Sequence, residues 1–409
     1  MVDILLREKK FSVLLGGSLL SRIGDGIHEF VFIITVLRVT NNGIADAGVI
    51  YFFRFIPYLI VGPIGGALSD RLSRKSLMIG SDVARMLVTS LFCVLLIANQ
   101  VNAVSLAWLG MLMTAFRTIF QPAFQAAVPS VVQAEHLPRA NGATQIAAEI
   151  GGLVGPAIGG VAIGLIANPG YVLLLDAATY IMSATCVALV QIPSQHVVPA
   201  TSEQRLTLRG LYGDFAQNFV GVLAKPHLFT SIAYSSACIL FVGAALRILI
   251  PSMMKQAGFT DSLVGYAMSL TALGTIAGAA LCGKVARDFS TRQLMLYWCL
   301  YGLVLALLPI CVSSAITILI GCCVLGIFGA FVDVVLPTNI QQLSTDHNIG
   351  KNFSLFSTLA NTGEALSGSL AGVIVLFSSI SVGVSVIGCL IVSVAYIGKC
   401  KSSGQNESR

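Results

Sequence analysis

The sequence predicts an all-α membrane protein: twelve transmembrane helices in two pseudo-symmetric six-helix bundles. Three observations carry that reading: the composition, the spacing of the apolar runs and an echo between the two halves. Of 409 residues, 56% are hydrophobic and 10% are charged, and the mean hydropathy is +0.87. Soluble domains carry roughly 25% charge, so this composition excludes a soluble enzyme or nucleic-acid binder. The net charge of +6 is spread over short loops, without the basic face or interleaved aromatics that nucleic acid requires. A spanning helix uses about 20 apolar residues, so twelve fit, with residues left for short loops and one longer linker.

The apolar runs fall at 11–39, 46–68, 77–98, 103–126, 140–166, 171–191, 227–253, 262–284, 292–312, 314–337, 352–377 and 379–398. They are numbered here as spans 1 to 12. Residues 1–191 form an N-terminal six-helix bundle and 227–398 a C-terminal one, with a cytoplasmic tail at 399–409. The stretch 192–226 between the bundles starts polar and Pro/Ser/Thr-bearing, then shows helical apolar spacing from Leu206 to Leu223. That is the pattern of an interfacial helix on a cytoplasmic linker.

Loop charge sets the expected orientation. Counted from a cytoplasmic N-terminus, seventeen of the 24 Lys and Arg residues fall inside, among them Arg7, Lys9, Lys10, Arg205, Arg209, Arg287 and Arg409. Only Lys255 falls outside. Basic residues favour the cytoplasmic side, so both termini are expected there. The charged N-terminal stretch runs directly into span 1, with no small-residue cleavage site after a short apolar core, and no removable signal peptide is expected. The ten cysteines lie mostly inside apolar runs and read as small apolar fillers. They form no CxxC pair and no zinc-type cluster with His, so neither metal nor cofactor is expected.

The halves echo one another. Gly48 and Gly66 recur 217 residues later as Gly265 and Gly283, each second glycine followed by basic residues. Pro122 in span 4 has a counterpart in Pro337 in span 10, and each is followed by an Asn (Asn141, Asn352) opening the next span.

Two motifs identify a family resemblance. The loop after span 2 reads GALSDRLSRK, with Gly66, Leu68, Asp70, Arg71, Arg74 and Lys75. It resembles the major facilitator signature Gly-x-Leu-Ala-Asp-Arg-x-Gly-Arg-Lys, with Ser73 in place of a glycine. A carboxylate beside clustered Arg side chains can latch helix bundles through charge-assisted hydrogen bonds, and Asp82 and Arg85 early in span 3 are placed to join it. In the family this latch is associated with an outward-facing state. The copy at 283–292, GKVARDFSTR, is degraded, with Arg287 where the acid would stand. Span 5 carries GGLVGPAIGG, which resembles the major facilitator antiporter motif through Gly151, Gly155, Pro156, Gly159 and Gly160. Small residues at four-residue spacing let helix backbones approach closely, and Pro156 removes a helix hydrogen bond, which should kink the helix. In the family this motif marks exporters more than importers. The stretch 120–142, with Pro122, Pro129, Leu137, Ala140 and Asn141, together with Arg54, Pro57 and Gly24–Asp25, resembles the macrolide-efflux and enterobactin-exporter branch of drug:proton antiporters. The resemblance covers essentially the whole chain.

Ionisable residues within spans point to function, because a charge at the bilayer centre costs about 2.5–3.5 kcal/mol on translocon scales. Span 1 contains SRIGDGIHEF. At about 100° per residue, Arg22, Asp25, His28 and Glu29 fall within about a 120° arc. Asp25 is expected to pair with Arg22, three residues before it, and to crowd Glu29, four after it. Crowding and an opposing cation act in opposite senses on a carboxyl group, a balance suited to proton exchange. Asp25 and Glu29 are therefore the proton-coupling candidates, with His28 as a relay and Arg22 as modulator; a self-neutralised structural cluster is the plainer alternative. Arg117, Glu149, Arg247, Asp333 and Glu364 lie in apolar context and are candidate cavity residues, and Arg117, Arg247 and Asp333 stand on spans 4, 7 and 10, which with span 1 surround the cavity in the family. Arg117 and Arg247 either hold an anionic group on the substrate or neutralise acids of spans 1 and 10. Asp176 reads as a helix-start residue near the outer interface. Phe116, Phe120, Phe124, Phe241, Phe328 and Phe331 line either a plastic substrate wall or ordinary helix packing.

Taken with the resemblance, these features imply a proton-coupled secondary exporter of a medium-sized amphipathic molecule, a drug-like compound or a siderophore, working by alternating access. A monomer in a bacterial inner membrane is expected, with substrate, protons and lipid as partners. The alternative is a lysophospholipid or nutrient transporter of the same fold. An enzyme is not expected: no HExxH and no phosphate-cradling GxxxxGK is present, and the histidines other than His28 fall in loops or at helix ends.

Overall fold

The computed structural model describes residues 7–40, 44–166, 168–192, 208–286 and 288–404. Arg205, Arg287 and Arg409, the polar start of the linker, and the side chains of Asp70 and Arg209 lie outside the described residues. The described secondary structure is helical throughout. We label the elements α1 (Lys9–Val39), α2 (Ile44–Ile60 and Gly62–Arg71), α3 (Arg74–Ile97), α4 (Ala103–Val131), α5 (Leu137–Leu165) and α6 (Leu173–Leu189). The linker helix is Leu208–Leu223. Then come α7 (Pro226–Gln256, with π turns at Thr230–Tyr234 and Ala245–Leu249), α8 (Asp261–Val285), α9 (Thr291–Leu307), α10 (Ala315–Leu343), α11 (Ile349–Phe377) and α12 (Ile380–Gly404). Among the described residues, ten helices are long and apolar enough to cross a membrane. α1 and α11 complete the twelve expected spans at 31 and 29 residues; α1 carries Arg22, Asp25 and Glu29 near its middle.

Local sequence explains the boundaries. Asn102 and Ser105 form a reciprocal capping box at the start of α4, both bonds at 2.9 Å; such caps satisfy amide groups a helix end leaves open. Ser73, where the family motif has glycine, caps α3 by accepting from the Ser76 amide at 3.4 Å. The break in α2 at Val61 lies between Pro57 and Pro63, neither of which has an amide to donate. α4 and α10 run past Pro122 and Pro337, ending five to six residues beyond their expected boundaries. Apolar content marks the stretch in hydrocarbon, whereas the helix continues into polar surroundings. Pro156 sits inside α5, which is uninterrupted from Leu137 to Leu165.

Two compact units are formed, one of residues 1–140, 147–218 and 346–355, the other of 141–146, 219–345 and 356–409. In unit 1, α1 packs on α6, α3 on α6 and α4, and α2 on α4. In unit 2 the equivalent pairs recur: α7 on α12, α9 on α12 and α10, and α8 on α10. The internal echo in the sequence is thus an echo in packing.

The glycine stripe of α5 meets α1. A Cβ on Gly155 would lie 2.5 Å from the Ile23 carbonyl and 2.7 Å from the Gly26 Cα, and one on Gly151 would lie 2.5 Å from the Arg22 Cβ. Gly152, on the neighbouring face, has nothing within 4 Å. Gly155→Ala is expected to destabilise the protein by about 1–3 kcal/mol through overpacking, and Gly152→Ala to stay within about 0.5 kcal/mol of wild type. Thermal unfolding of both variants in detergent checks this; equal loss in the two would contradict the α1–α5 contact.

Candidate functional site: a polar network around α1

Two residues of the α1 cluster, Asp25 and His28, are held by α3 and α6. Asp25 accepts a hydrogen bond from the Tyr180 hydroxyl at 2.6 Å and another from Arg85 Nη1 at 3.3 Å. Arg85, 2% exposed, also binds Asp82 through Nη2. Its guanidinium lies between two rings, 4.7 Å from the centroid of Phe120 and 4.6 Å from that of Tyr180. Asp82 is fully buried and accepts from Ser183 Oγ at 2.8 Å. Next along α1, His28 Nδ1 lies 3.1 Å from Asp176 Oδ2, and Thr89 donates to the same oxygen at 3.1 Å. One guanidinium thus serves two carboxylates, and α6 contributes Asp176, Tyr180 and Ser183 from positions that share a helix face.

Several expectations change on this geometry. Arg22 does not pair with Asp25; its Nε donates to Ser18 at 3.4 Å. Side chains on a helix lean toward its N-terminus, so Arg22 leans away from an acid placed after it. Glu29 does not crowd Asp25 either: Arg54 of α2 grips it with both terminal nitrogens, one at 3.0 Å, while stacking 4.7 Å over the Phe32 ring. His28 faces the bundle interior with Asp176, which lies in the first turn of α6, as expected, and is fully buried. Arg85, with Asp82, joins Asp25 of α1 and not the loop after α2. In that loop, Arg71 pairs with Asp214 of the linker helix at 2.5 Å. Arg74 donates to the Ala126 and Asp346 carbonyls at 2.6 and 3.1 Å, and Lys75 to the Ala188 and Val190 carbonyls at 2.5 and 3.0 Å. The last two belong to the C-terminal end of α6, where carbonyls lack helical donors.

The cavity candidates divide. In unit 2, Arg247 lies in a π turn of α7 and is 60% exposed, and Glu364 of α11 is its partner. Gln145 donates to Asp333 at 3.2 Å. In unit 1, Arg117 is exposed and makes no hydrogen bond or ion pair among the described residues. It interacts electrostatically with Tyr58, Asp25 and Glu29. Glu149 interacts in the same way with Arg22. Of the aromatic candidates, Phe120, Phe124 and Phe331 are buried in helix packing. Tyr180, Thr89 and Tyr51, whose hydroxyl donates to Glu29 at 3.5 Å, escaped sequence reasoning. The four- then three-residue polar spacing of Asp176, Tyr180 and Ser183 was the available signal for α6, while Thr89 and Tyr51 carry none.

The model of the Major Facilitator Superfamily matches residues 14–245 and again 232–400. The chain belongs to the Major Facilitator Superfamily. Enterobactin exporter EntS of Escherichia coli O1:K1 is 25% identical over 317 residues, covering 76% of this facilitator and 72% of that protein. Among solved structures, a bacterial homologue of the iron transporter ferroportin in an outward-facing state matches with a TM-score of 0.74 at 18% identity, covering 96% of this chain and 99% of that one. The human organic anion transporter MFSD10 matches with a TM-score of 0.75 at 13% identity over the same shares. At these identities the structural likenesses establish the fold. The facilitator is a multi-pass membrane transporter of a small molecule, not an enzyme.

Removing Arg85 would strand the buried Asp82. Arg85→Ala is expected to cost the facilitator about 3–5 kcal/mol, as for other broken buried pairs. Arg247→Ala, at an exposed pair, is expected to cost at most about 1 kcal/mol. Unfolding midpoints of the two variants in one detergent decide it, and equal costs would contradict the buried network.

Proposed function

We propose that this facilitator is a proton-coupled secondary exporter of a medium-sized amphipathic molecule bearing an anionic group, of the siderophore or drug-like class. The observation that carries the reading is the placement of Asp25, 19% exposed and tied to α3 and α6, beside the exposed Arg117, which makes no hydrogen bond or ion pair among the described residues. Asp25 takes and releases the proton. Ionised, it accepts from Tyr180 and Arg85 and holds α1 to α3 and α6; protonated, it loses the charge that binds Arg85, which keeps Asp82. Arg117 offers an anion a charged donor fork. Arg247, already matched by Glu364, is a weaker anion ligand than Arg117. The α5 glycine stripe brings α5 against α1 at the level of Asp25, so movement of one helix is felt by the other. The similarity to an enterobactin exporter supports export and the siderophore class. The loop charges support a bacterial inner membrane with both termini cytoplasmic.

One observation favours a second reading, a lysophospholipid carrier. A cavity of about 550 Å³ opens among the C-terminal end of α1 and the N-terminal halves of α2 and α4, lined by apolar side chains including Ile50, Phe53, Ile56, Val104 and Trp108. An acyl chain fits such a lining.

Mass spectrometry of medium and cells, with and without the gene under iron limitation, separates the readings. The expected result is one secreted chelator lost from the medium and retained in the cells on deletion. Arg117→Ala is expected to lower its export at least tenfold at unchanged protein level. An unchanged medium, with altered membrane lysophospholipid, would replace the first reading with the second.

A further inference from the structure

The start of α1 is tied to the connector between α4 and α5 by a histidine set between two carboxylates. Glu8 stands at the cap position of α1, where an acidic side chain ordinarily accepts from first-turn amides, yet it makes no cap bond. Its Oε1 turns to the connector instead, accepting from the Gln133 amide at 3.3 Å and lying 3.0 Å from His136 Nδ1. On the other side of the same ring, Nε2 lies 3.5 Å from Glu135 Oε1. The His136 side chain is 12% exposed and that of Glu135 76%. The remaining charged groups at this end are Arg7, Lys9 and Lys10, which flank Glu8, and Arg139 in the first turn of α5. The end of α4 offers the neutral Ser130, and the connector the neutral Gln133. A hollow of about 490 Å³ between Arg7–Lys10 and residues 130–133 opens onto Glu8, so water reaches the contact.

We propose that His136 is a pH-operated clasp, closed when protonated, that ties α1 to the α4–α5 connector and slows the export cycle as the cytosol acidifies. A neutral imidazole carries one N–H and one bare nitrogen, whereas the imidazolium donates from both. With a carboxylate oxygen at each nitrogen, both contacts hold only in the imidazolium. Histidine is the side chain that ordinarily changes charge between about pH 5 and 8. Loss of the proton turns a lone pair toward Glu135, which is exposed and swings into water, and reduces the Glu8 contact from a charge-assisted bond to an ordinary one. The helices joined here are those that carry Asp25, Arg117 and the glycine stripe, so the clasp acts on the elements assigned to coupling. The direction of its effect and its cytosolic placement rest on the proton-coupled exporter reading: each cycle of such an exporter admits protons, and a clasp closed by acid brakes that entry.

Hydrogen exchange of the full chain in nanodiscs reads the clasp without any substrate, through the Gln133 amide that Glu8 accepts. Wild type is compared with His136→Gln, a neutral side chain that still donates a hydrogen bond, at the same pH, which cancels the intrinsic exchange rate. The peptide spanning Gln133 is expected to exchange at least about threefold faster in His136→Gln at about pH 6, and equally in the two at about pH 8. Glu135→Gln is expected to reproduce part of the difference at the lower pH and none at the higher. A difference of the same size at both pH values, or none at either, would overturn the clasp. For the effect on transport, export of the compound secreted under iron limitation is measured in cells with the cytosol held at each pH. The ratio of wild-type to His136→Gln export is expected to fall at least about threefold on the acid side, and an unchanged ratio would overturn the brake. Exchange that switches with pH in a wild type that secretes nothing would uphold the clasp and overturn the exporter reading alone.

Discussion

A charge placed in hydrocarbon must be matched by its own bundle, because the lipid offers nothing in return, and the arrangement of unit 1 follows from that constraint. α1 carries one basic and two acidic side chains and a histidine within three turns, so it cannot face lipid on that arc. Glu29 draws Arg54 from α2, Asp25 draws Arg85 from α3 and Tyr180 from α6, and His28 draws Asp176 from α6, while Arg22 bonds Ser18 of α1 itself. These bonds form only if the backbones come close, and on the α6 side Gly17 and Gly24 of α1 allow it, where a Cβ would collide with Cys186 and Thr179. The α5 glycines bring a further helix against the same stretch of α1.

Within that cluster the groups differ in access. Asp82, Arg85, His28 and Asp176 are sealed, held by one another and by Thr89 and Ser183. Among the described residues of the cluster, Asp25 joins the sealed set to the exposed face on which Arg117 lies. On the proposed reading, a proton or an anion reaching that face meets Asp25 and Arg117, and a change there is passed to α3 and α6 through Arg85 and Tyr180. This difference in access is the basis for proposing coupling at Asp25 and a structural part for Glu29, which Arg54 clamps.

Much of the fold was legible in the sequence, because apolar length and repeat spacing are one-dimensional signals. The twelve spans, the linker helix and the paired packing of the halves all had counterparts in the pattern of residues. Helix ends beyond Pro122 and Pro337 were not legible, since the apolar run stops where hydrocarbon stops and the hydrogen-bond ladder does not. The site was legible only as an inventory. That α1 carries functional groups follows from charge within an apolar run. Which group binds which does not, because Asp25 is separated from Tyr180 by 155 residues and from Arg85 by 60. Local spacing suggested Arg22 as partner, and the lean of helical side chains defeats that choice. Asp176 looked like an ordinary helix-start residue because its partner, His28, lies 148 residues away.

The central claim is that Asp25 exchanges the proton that drives transport. Inverted membrane vesicles, acidified inside by respiration and carrying a pH-sensitive dye, test it most directly when the compound this facilitator secretes is added. Wild-type vesicles are expected to alkalinise on addition as protons leave against entering substrate, and Asp25→Asn vesicles with equal protein are expected to show no response. An equal response in the Asp25→Asn vesicles, or substrate accumulation in wild-type vesicles with no proton movement, would contradict the account.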